Sequence, residues 1–259
     1  MCPGCGPADE GIAPAFELNP GIGKTRSSCR VAPGGGKFVR TVVALQFEGI
    51  SAMEFDMVST LGSIAQLHND YPEMARRPLE AEQCALIVID IQEKLLPAIF
   101  NKEELVKNSR LLIRLAGILK IPAIVTTQYA RGLGGTVPEI SGLMPEASAI
   151  DKQMFSCFGS DVFCSSLKRL PGNRTTVLLC GMETHICVMQ TALAALQQGY
   201  VVHVASDAVS SRTEWNWKIG LERMAAAGAV ISSTEMMTYE LLRSSGSPAF
   251  KELLPYLKA

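Results

Sequence analysis

The chain has 259 residues, 47% of them apolar and 19% charged, with a formal net charge of −1 and both signs interspersed. That length and apolar content suffice for one sizeable core plus an appendage. The charge offers no concentrated basic face of the kind that grips nucleic acid, and no apolar run approaches the roughly 20 residues that cross a bilayer. Eight cysteines in so long and aliphatic a chain do not make a disulfide framework. Cys84 and Cys180 fall inside strand-like runs as apolar filler, and the expected compartment is reducing, the cytoplasm.

Residues 1–80 read as an N-terminal extension. Met1 to Lys37 is rich in Gly, Pro, Ser and Cys, has little periodicity and is expected to be poorly ordered. Cys2 and Cys5 have the spacing of half a zinc knuckle, but no second pair follows at zinc-finger spacing, and a structural zinc needs four ligands. Pro20-Gly-Ile-Gly23-Lys24-Thr25 ends like a phosphate-binding loop, yet Leu18 stands where that loop needs a glycine and no buried strand precedes it. Arg26, Arg30, Lys37 and Arg40 are mixed with Asp9, Glu10 and Glu17, without an apolar stretch after a basic start. Secretion is therefore not expected, and organelle targeting has little to rest on. Residues 41–73 hold apolar patches without a sustained period. Met74-Ala-Arg-Arg-Pro-Leu79 leads into a compact domain at 81–259, and residues 1–73 are expected to be dispensable.

From Glu82 onward the pattern is regular. Cys84 to Asp90 is a near-continuous apolar run ending in an acid, which predicts a buried parallel-type strand. Glu103 to Leu119 has helical apolar spacing. Pro122 to Thr127 predicts a second strand. The loop from Gln128 to Ala149 is long for a compact domain, and loops of that length are usually functional. Ile150 to Lys152, a helix at about 160–169, and a strand at Val177 to Cys180 follow. Gly181 breaks that strand; Thr184 is read as the N-cap of a helix beginning at His185. A strand at Tyr200 to Ala205, a helix at about 214–227, a strand at Ala229 to Ile231 and two short C-terminal helices complete the chain. Strand and helix alternate, which predicts an α/β domain with a mostly parallel sheet and right-handed crossovers.

Ligands of such sheets sit at the carboxyl ends of the strands. Three reactive side chains fall there: Asp90 after the first strand, Lys152 at the end of the long loop, and Cys187 in the first turn of a helix. A thiol at a helix start meets free N–H groups and the positive end of the dipole, which favours thiolate. Each residue alone has a plainer account: an Asp that caps a loop, a solvated Lys, a Cys used as a small buried hydrophobe. His185 is two residues from Cys187 on the same helix and does not face it. Apolar residues of the C-terminal helices (Met236, Met237, Leu241, Leu242, Leu253, Leu254) could serve a subunit interface.

Asp90-Ile-Gln92, Lys152 with Gln-Met-Phe-Ser-Cys-Phe158, and Gly181-Met-Glu-Thr-His-Ile-Cys187-Val together resemble the three blocks of the isochorismatase-like cysteine hydrolases. Supporting blocks are Gln128-Tyr129 with Gly132-Leu-Gly134, Thr136 to Glu139, Asp207 to Arg212, and Ser233 to Met237. The resemblance covers roughly residues 82–245 and is nearest to the isochorismatase-domain-containing subgroup. It implies a three-layer α/β/α Rossmann-like fold and a metal-independent hydrolase without cofactor. Cys187 would be the nucleophile, Asp90 its general base, and Lys152 the stabiliser of thiolate and developing anion. The Met182–Glu183 peptide would be cis, aiming N–H groups at an oxyanion. Gln128, Phe155 and Phe158 are candidate substrate walls, although buried aromatics are as often packing. Nicotinamidases of the family hold a metal with an Asp and His residues after the second strand. Here that region reads Gln128-Tyr129-Ala-Arg131, which argues against the metal-assisted route. The expected substrate is a small molecule with an amide-like or other carbonyl bond, acted on through a thioester. Ether hydrolysis of the isochorismate type and a non-catalytic scaffold are the alternatives. The family also implies a homo-oligomer.

Overall fold

A computed structural model describes residues 43–44, 54–55 and 77–258. The chain divides into two units, residues 1–70 and 71–259. In the first, Val43–Ala44 and Glu54–Phe55 pair as short antiparallel strands. The Cys2–Cys5 pair, the Pro20–Thr25 loop and the expected poor order of the extension lie outside the described residues. In the second unit Leu79 already packs into the core, and its N–H donates to Glu240 Oε1 at 2.9 Å.

The second unit is built on a six-stranded sheet. The strands are β1 (Cys84–Ile89), β2 (Ala123–Gln128), β3 (Ile150–Lys152), β4 (Thr176–Met182), β5 (Val201–Ser210) and β6 (Val230–Ser232). Every pairing is parallel, and the order is β3-β2-β1-β4-β5-β6. The helices are α1 (Lys102–Ile118), α2 (Asp161–Lys168), α3 (Met189–Gln197), α4 (Glu214–Ala226), α5 (Thr234–Leu242) and α6 (Pro248–Leu257). The central strands β1 and β4 are buried at every residue, which is why they read as unbroken apolar runs. Alternate β1 side chains serve opposite cores. Leu86 and Val88 join α1, α5 and α6; Ala85, Ile87 and Ile89 join α2, α3 and α4. The result is the three-layer α/β/α arrangement. The four helices α2, α4, α5 and α6 start at Ser160, Thr213, Ser233 and Ser247, whose hydroxyls accept the N–H of Phe163, Asn216, Met236 and Phe250.

Four expectations change. β4 runs through Gly181 to Met182 and is not broken there. β5 runs to Ser210, five residues beyond the expected end at Ala205. Its polar Ser206 and Asp207 look like a strand end, but the ladder shifts register near Leu179 and Gly181, and β5 then continues against Gly181 and Met182. Asp207 Oδ1 instead accepts the N–H and hydroxyl of Thr234 at 2.7 and 2.9 Å, tying β5 to α5. The long loop contains two single helical turns, Ala130–Leu133 and Pro138–Ser141. Finally, Met237, Leu241, Leu242 and Leu253 are buried in this chain's own core and cannot form a subunit surface; of the six, Met236 is 59% exposed. Among the described residues no helix is long and apolar enough to cross a membrane.

His203 on β5 is 3% exposed, and its Nδ1 has no hydrogen-bond partner among the described residues. Burial holds it below the ordinary histidine range, against a smaller opposing pull from Glu240. The unfolded chain therefore takes up a proton near pH 6.5 that the folded one refuses. The stability linked to His203 is present above about pH 6.5 and is lost as pH falls below it. Urea unfolding at about pH 8 and about pH 5 checks this: His203→Leu should lose less stability between the two than the wild type, and an equal loss refutes it.

Candidate active site

Strand order reverses between β1 and β4: from β1 the chain runs outward to β2 and β3, then returns to build β4, β5 and β6 on the other side. The carboxyl ends at that reversal form a crevice. Asp90 leaves β1 with φ 52°, a left-handed backbone that Asp tolerates better than most residues. Its side chain is fully buried. Oδ1 accepts the Thr126 hydroxyl at 2.7 Å, and Oδ2 accepts Lys152 Nζ at 2.7 Å. Lys152 ends β3, is 3% exposed, and also donates to Gln128 Oε1 at 2.9 Å. Register explains the meeting: Thr126 lies beside Ile89, and Lys152 beside Gln128.

Gln92 fixes the neighbouring backbone. It is fully buried, accepts the Gln128 N–H at 2.7 Å, and donates to the carbonyls of Gln128 and Gly134 at 3.1 and 2.7 Å. The Gln128 side chain is turned toward Lys152 and donates to the Gln153 carbonyl at 2.7 Å.

The turn after β4 carries the third side chain. The Met182–Glu183 peptide is cis. Gly181 has φ +121°, and a Cβ there would lie 2.0 Å from the Ile89 carbonyl oxygen, so β1 and β4 can approach this closely only with glycine. Residues Thr184–Val188 form a π-type turn, with the N–H groups of Ile186 and Val188 both directed to the Glu183 carbonyl. Such turns recur at functional sites. Thr184 lies inside the turn and is not its cap; its hydroxyl is buried without a partner among the described residues. Glu183 ties the turn to the segment after β5, accepting Arg212 Nε at 2.9 Å and the Arg212 N–H at 3.1 Å. The His185 ring pairs with Ser211 Oγ at 3.0 Å.

Cys187 is 6% exposed. Burial pushes its thiol well above the ordinary range; the Asp90 charge and a hydrogen bond to Asp90 push the same way, while Lys152 opposes. The expected thiolate-favouring effect of the helix start is thus outweighed at rest. Removing a proton from this site leaves two negative groups, Asp90 and a thiolate, against the single charge of Lys152. Moving the same proton onto Asp90 leaves the net charge unchanged.

Of the expected walls, Gln128 sits at the centre. Phe155 is 52% exposed, and the Phe158 ring packs on Phe163 and Tyr200 at 5.2 and 5.9 Å, so it shapes the loop from behind. A separate cavity of about 330 Å³ opens beside β5, lined by Phe100, Glu104, Asp207 and Trp217, and includes none of Asp90, Lys152 and Cys187. Among the described residues no three His, Cys, Asp or Glu side chains group as metal ligands. Sequence reasoning did not single out Thr126, Cys157 or Gln92. Gln92 and Cys157 lie within the family blocks, and Thr126 shows in the sequence only as a hydroxyl near the end of an apolar strand.

The isochorismatase domain model matches residues 84–236. The chain is 40% identical to the secreted isochorismatase effector Isc1 of Phytophthora sojae, over 67% of this chain and 83% of that protein. Among solved structures, the MAR1 ribonuclease of Caenorhabditis elegans is similar with a TM-score of 0.65 and 36% identity, covering 71% of this chain and 93% of that one. The Escherichia coli YcaC product, described as an octameric hydrolase of unknown specificity, gives 0.65 and 25%, covering 69% and 90%. YcaC from Pseudomonas aeruginosa, with hexane-2,5-diol and covalent acrylamide, also gives 0.65 and 25%, covering 71% and 95%.

The two ion pairs of the site should differ in weight. Lys152→Met strands a buried carboxylate and is expected to cost about 3–5 kcal/mol in urea unfolding. Arg212→Ala, whose guanidinium side chain is 58% exposed, is expected to cost under about 1 kcal/mol. Similar losses for both would contradict the burial argument.

Proposed function

This chain belongs to the isochorismatase family and has its hydrolase fold, and from that premise we propose that it is a metal-independent hydrolase acting through Asp90, Lys152 and Cys187. The observation that carries the reading is the buried Asp90 carboxylate, held by Lys152 and Thr126, whose charge acts directly on the Cys187 thiol. The proton of Cys187 passes to Asp90 as sulfur attacks a carbonyl carbon. The tetrahedral oxyanion is met by the N–H groups of Glu183 and Cys187, with the Lys152 charge nearby. Collapse breaks the C–N bond, the leaving amine takes the proton from Asp90, and a thioester remains. Asp90 then deprotonates water, which attacks the thioester; the acid leaves and sulfur recovers its proton.

The substrate is proposed to be a small amide-like molecule, because the reacting groups are buried too deeply for a polymer backbone. Gln128 and Phe155 would border it, with Phe158 supporting the loop. The covalent acrylamide on a structural neighbour supports a reactive side chain in this fold. The free cysteines Cys84, Cys157, Cys164, Cys180 and Cys187 support a reducing compartment, the cytoplasm. We propose residues 81–259 as the catalytic domain and residues 1–80 as an extension. The octameric neighbour and the exposed Tyr129, Met154, Met236 and Tyr239 support a homo-oligomer.

Internal proton transfer has a signature. An isolated thiol with a raised pKa gains about tenfold in alkylation rate per pH unit, following its thiolate. Cys187 should instead be alkylated by iodoacetamide at a nearly constant rate between about pH 6 and 9, faster than Cys84, Cys164 or Cys180. Asp90→Asn should make the rate slow and steep in pH. A steep wild-type profile that Asp90→Asn leaves unchanged defeats the reading. A screen of small amides and carbamates with wild type and Cys187→Ala then identifies the substrate, and turnover surviving in Cys187→Ala would rule out the thioester. Light scattering of the full chain and of residues 74–259 should give several times the single-chain mass for both. A monomer counts against the oligomer, and an insoluble shorter chain against the boundary.

A further inference from the structure

Next to Thr126, which holds one oxygen of Asp90, lies a second thiol that the proposed reaction does not use. Cys157 is fully buried in the loop after β3. Its Sγ lies 3.9 Å from Thr126 Oγ1, within reach of a sulfur hydrogen bond. A threonine hydroxyl has one proton to give, and at 2.7 Å that proton goes to Asp90 Oδ1. Thr126 can therefore only accept from Cys157, which fixes the direction of the chain: Cys157 S–H to Thr126, Thr126 O–H to Asp90.

We propose that Thr126 and Cys157 are positioning residues, a two-step hydrogen-bond relay that sets the orientation of the Asp90 carboxylate for proton exchange with Cys187; this rests on the reading of Asp90 as base. The two carboxylate oxygens are each held by a donor at 2.7 Å from a different strand, Thr126 of β2 and Lys152 of β3. With its rotation stopped from both sides, the carboxylate keeps its remaining acceptor capacity toward the turn that carries Cys187. The relay is also anchored to that turn. The Cys157 N–H donates to Thr191 Oγ1 at 3.0 Å, and Thr191 lies on α3, which continues directly from the π-type turn. A line of contacts thus leads from the base to the helix that continues from the thiol's turn. Burial pushes the Cys157 thiol up to about 11, and the nearby Thr191 hydroxyl and Lys152 charge only partly offset this, so Cys157 stays protonated and keeps donating. The ionisable groups that act on this centre are Lys152 from β3, Cys187 from the turn and Cys157 from the loop.

The test is the pH profile of Cys187 alkylation by iodoacetamide, read peptide by peptide by mass spectrometry in the full chain, with thermal melting as the check on folding. Thr126→Val removes the donor and keeps the shape. It should slow Cys187 about tenfold near neutral pH and move the acid limb of the profile up by about one pH unit. Thr126→Ser restores the hydroxyl and should stay within about twofold of wild type with an unmoved limb. Cys157→Ser should behave likewise, and Cys157→Ala should shift the limb in the same direction by less. A Thr126→Val protein that slows uniformly with an unmoved limb, or does not slow at all, overturns the relay while Asp90→Asn still shows the base to be needed. If Cys187 alkylates no faster than Cys164 in wild type and Asp90→Asn changes nothing, the base reading falls and the relay falls with it.

Discussion

The ion pair between Asp90 and Lys152 is the constraint around which the site is arranged. Both side chains are almost wholly out of water and meet at 2.7 Å. Taking two charges into an interior costs several kcal/mol per ion, and only close pairing with further hydrogen bonds repays it. Thr126 on one carboxylate oxygen and Gln128 on the ammonium group supply those bonds. Gln92, which touches neither charge, holds the backbone from which Gln128 reaches in. Much of the polar burial at this sheet edge thus follows from keeping one carboxylate and one ammonium group together without solvent.

That arrangement governs what the third group can be. A thiol beside a neutral pair meets little net charge, so burial and the adjacent carboxylate dominate and keep it protonated. Helix starts can favour thiolate, but here the turn before α3 is of π type and the dipole is only one contribution among several. A protonated resting thiol beside a paired carboxylate and ammonium leaves the buried site without net charge. Stored as a thiolate, the same sulfur would need a second cation close by, and among the described residues the Arg212 guanidinium is instead engaged by Glu183.

The fold makes the pair possible through its strand order. β1 lies at the centre with β2 and β3 on one side and β4 to β6 on the other, so residues 62 positions apart in sequence, Asp90 and Lys152, reach each other across two strand spacings. The cleft needs β4 to press against β1, and Gly181 permits it because any side chain there would collide with the Ile89 carbonyl. Ser211 and Arg212, delivered by the unexpectedly long β5, then brace the turn through His185 and Glu183.

By itself the sequence determined the α/β alternation, the buried central strands and the family blocks around Asp90, Lys152 and Cys187, because apolar periodicity and short motifs are local properties of the chain. It also pointed to the carboxyl edge of the sheet for these three, since Asp90 stops an apolar run, Lys152 closes the long loop and Cys187 follows the turn after a buried strand. The tertiary structure alone decided what those residues touch. That Thr126 backs Asp90, that Cys157 lies behind Thr126, and that Glu183 holds Arg212 depend on register between strands and on loops that meet only after folding. The C-terminal apolar residues make the same point: Met237 and Leu241 look like an interface in a helical pattern, and only the third layer of the sandwich shows them as core. The thiol's protonation was likewise out of reach of the sequence, because it depends on burial and on the distance to a carboxylate, and neither exists in an unfolded chain.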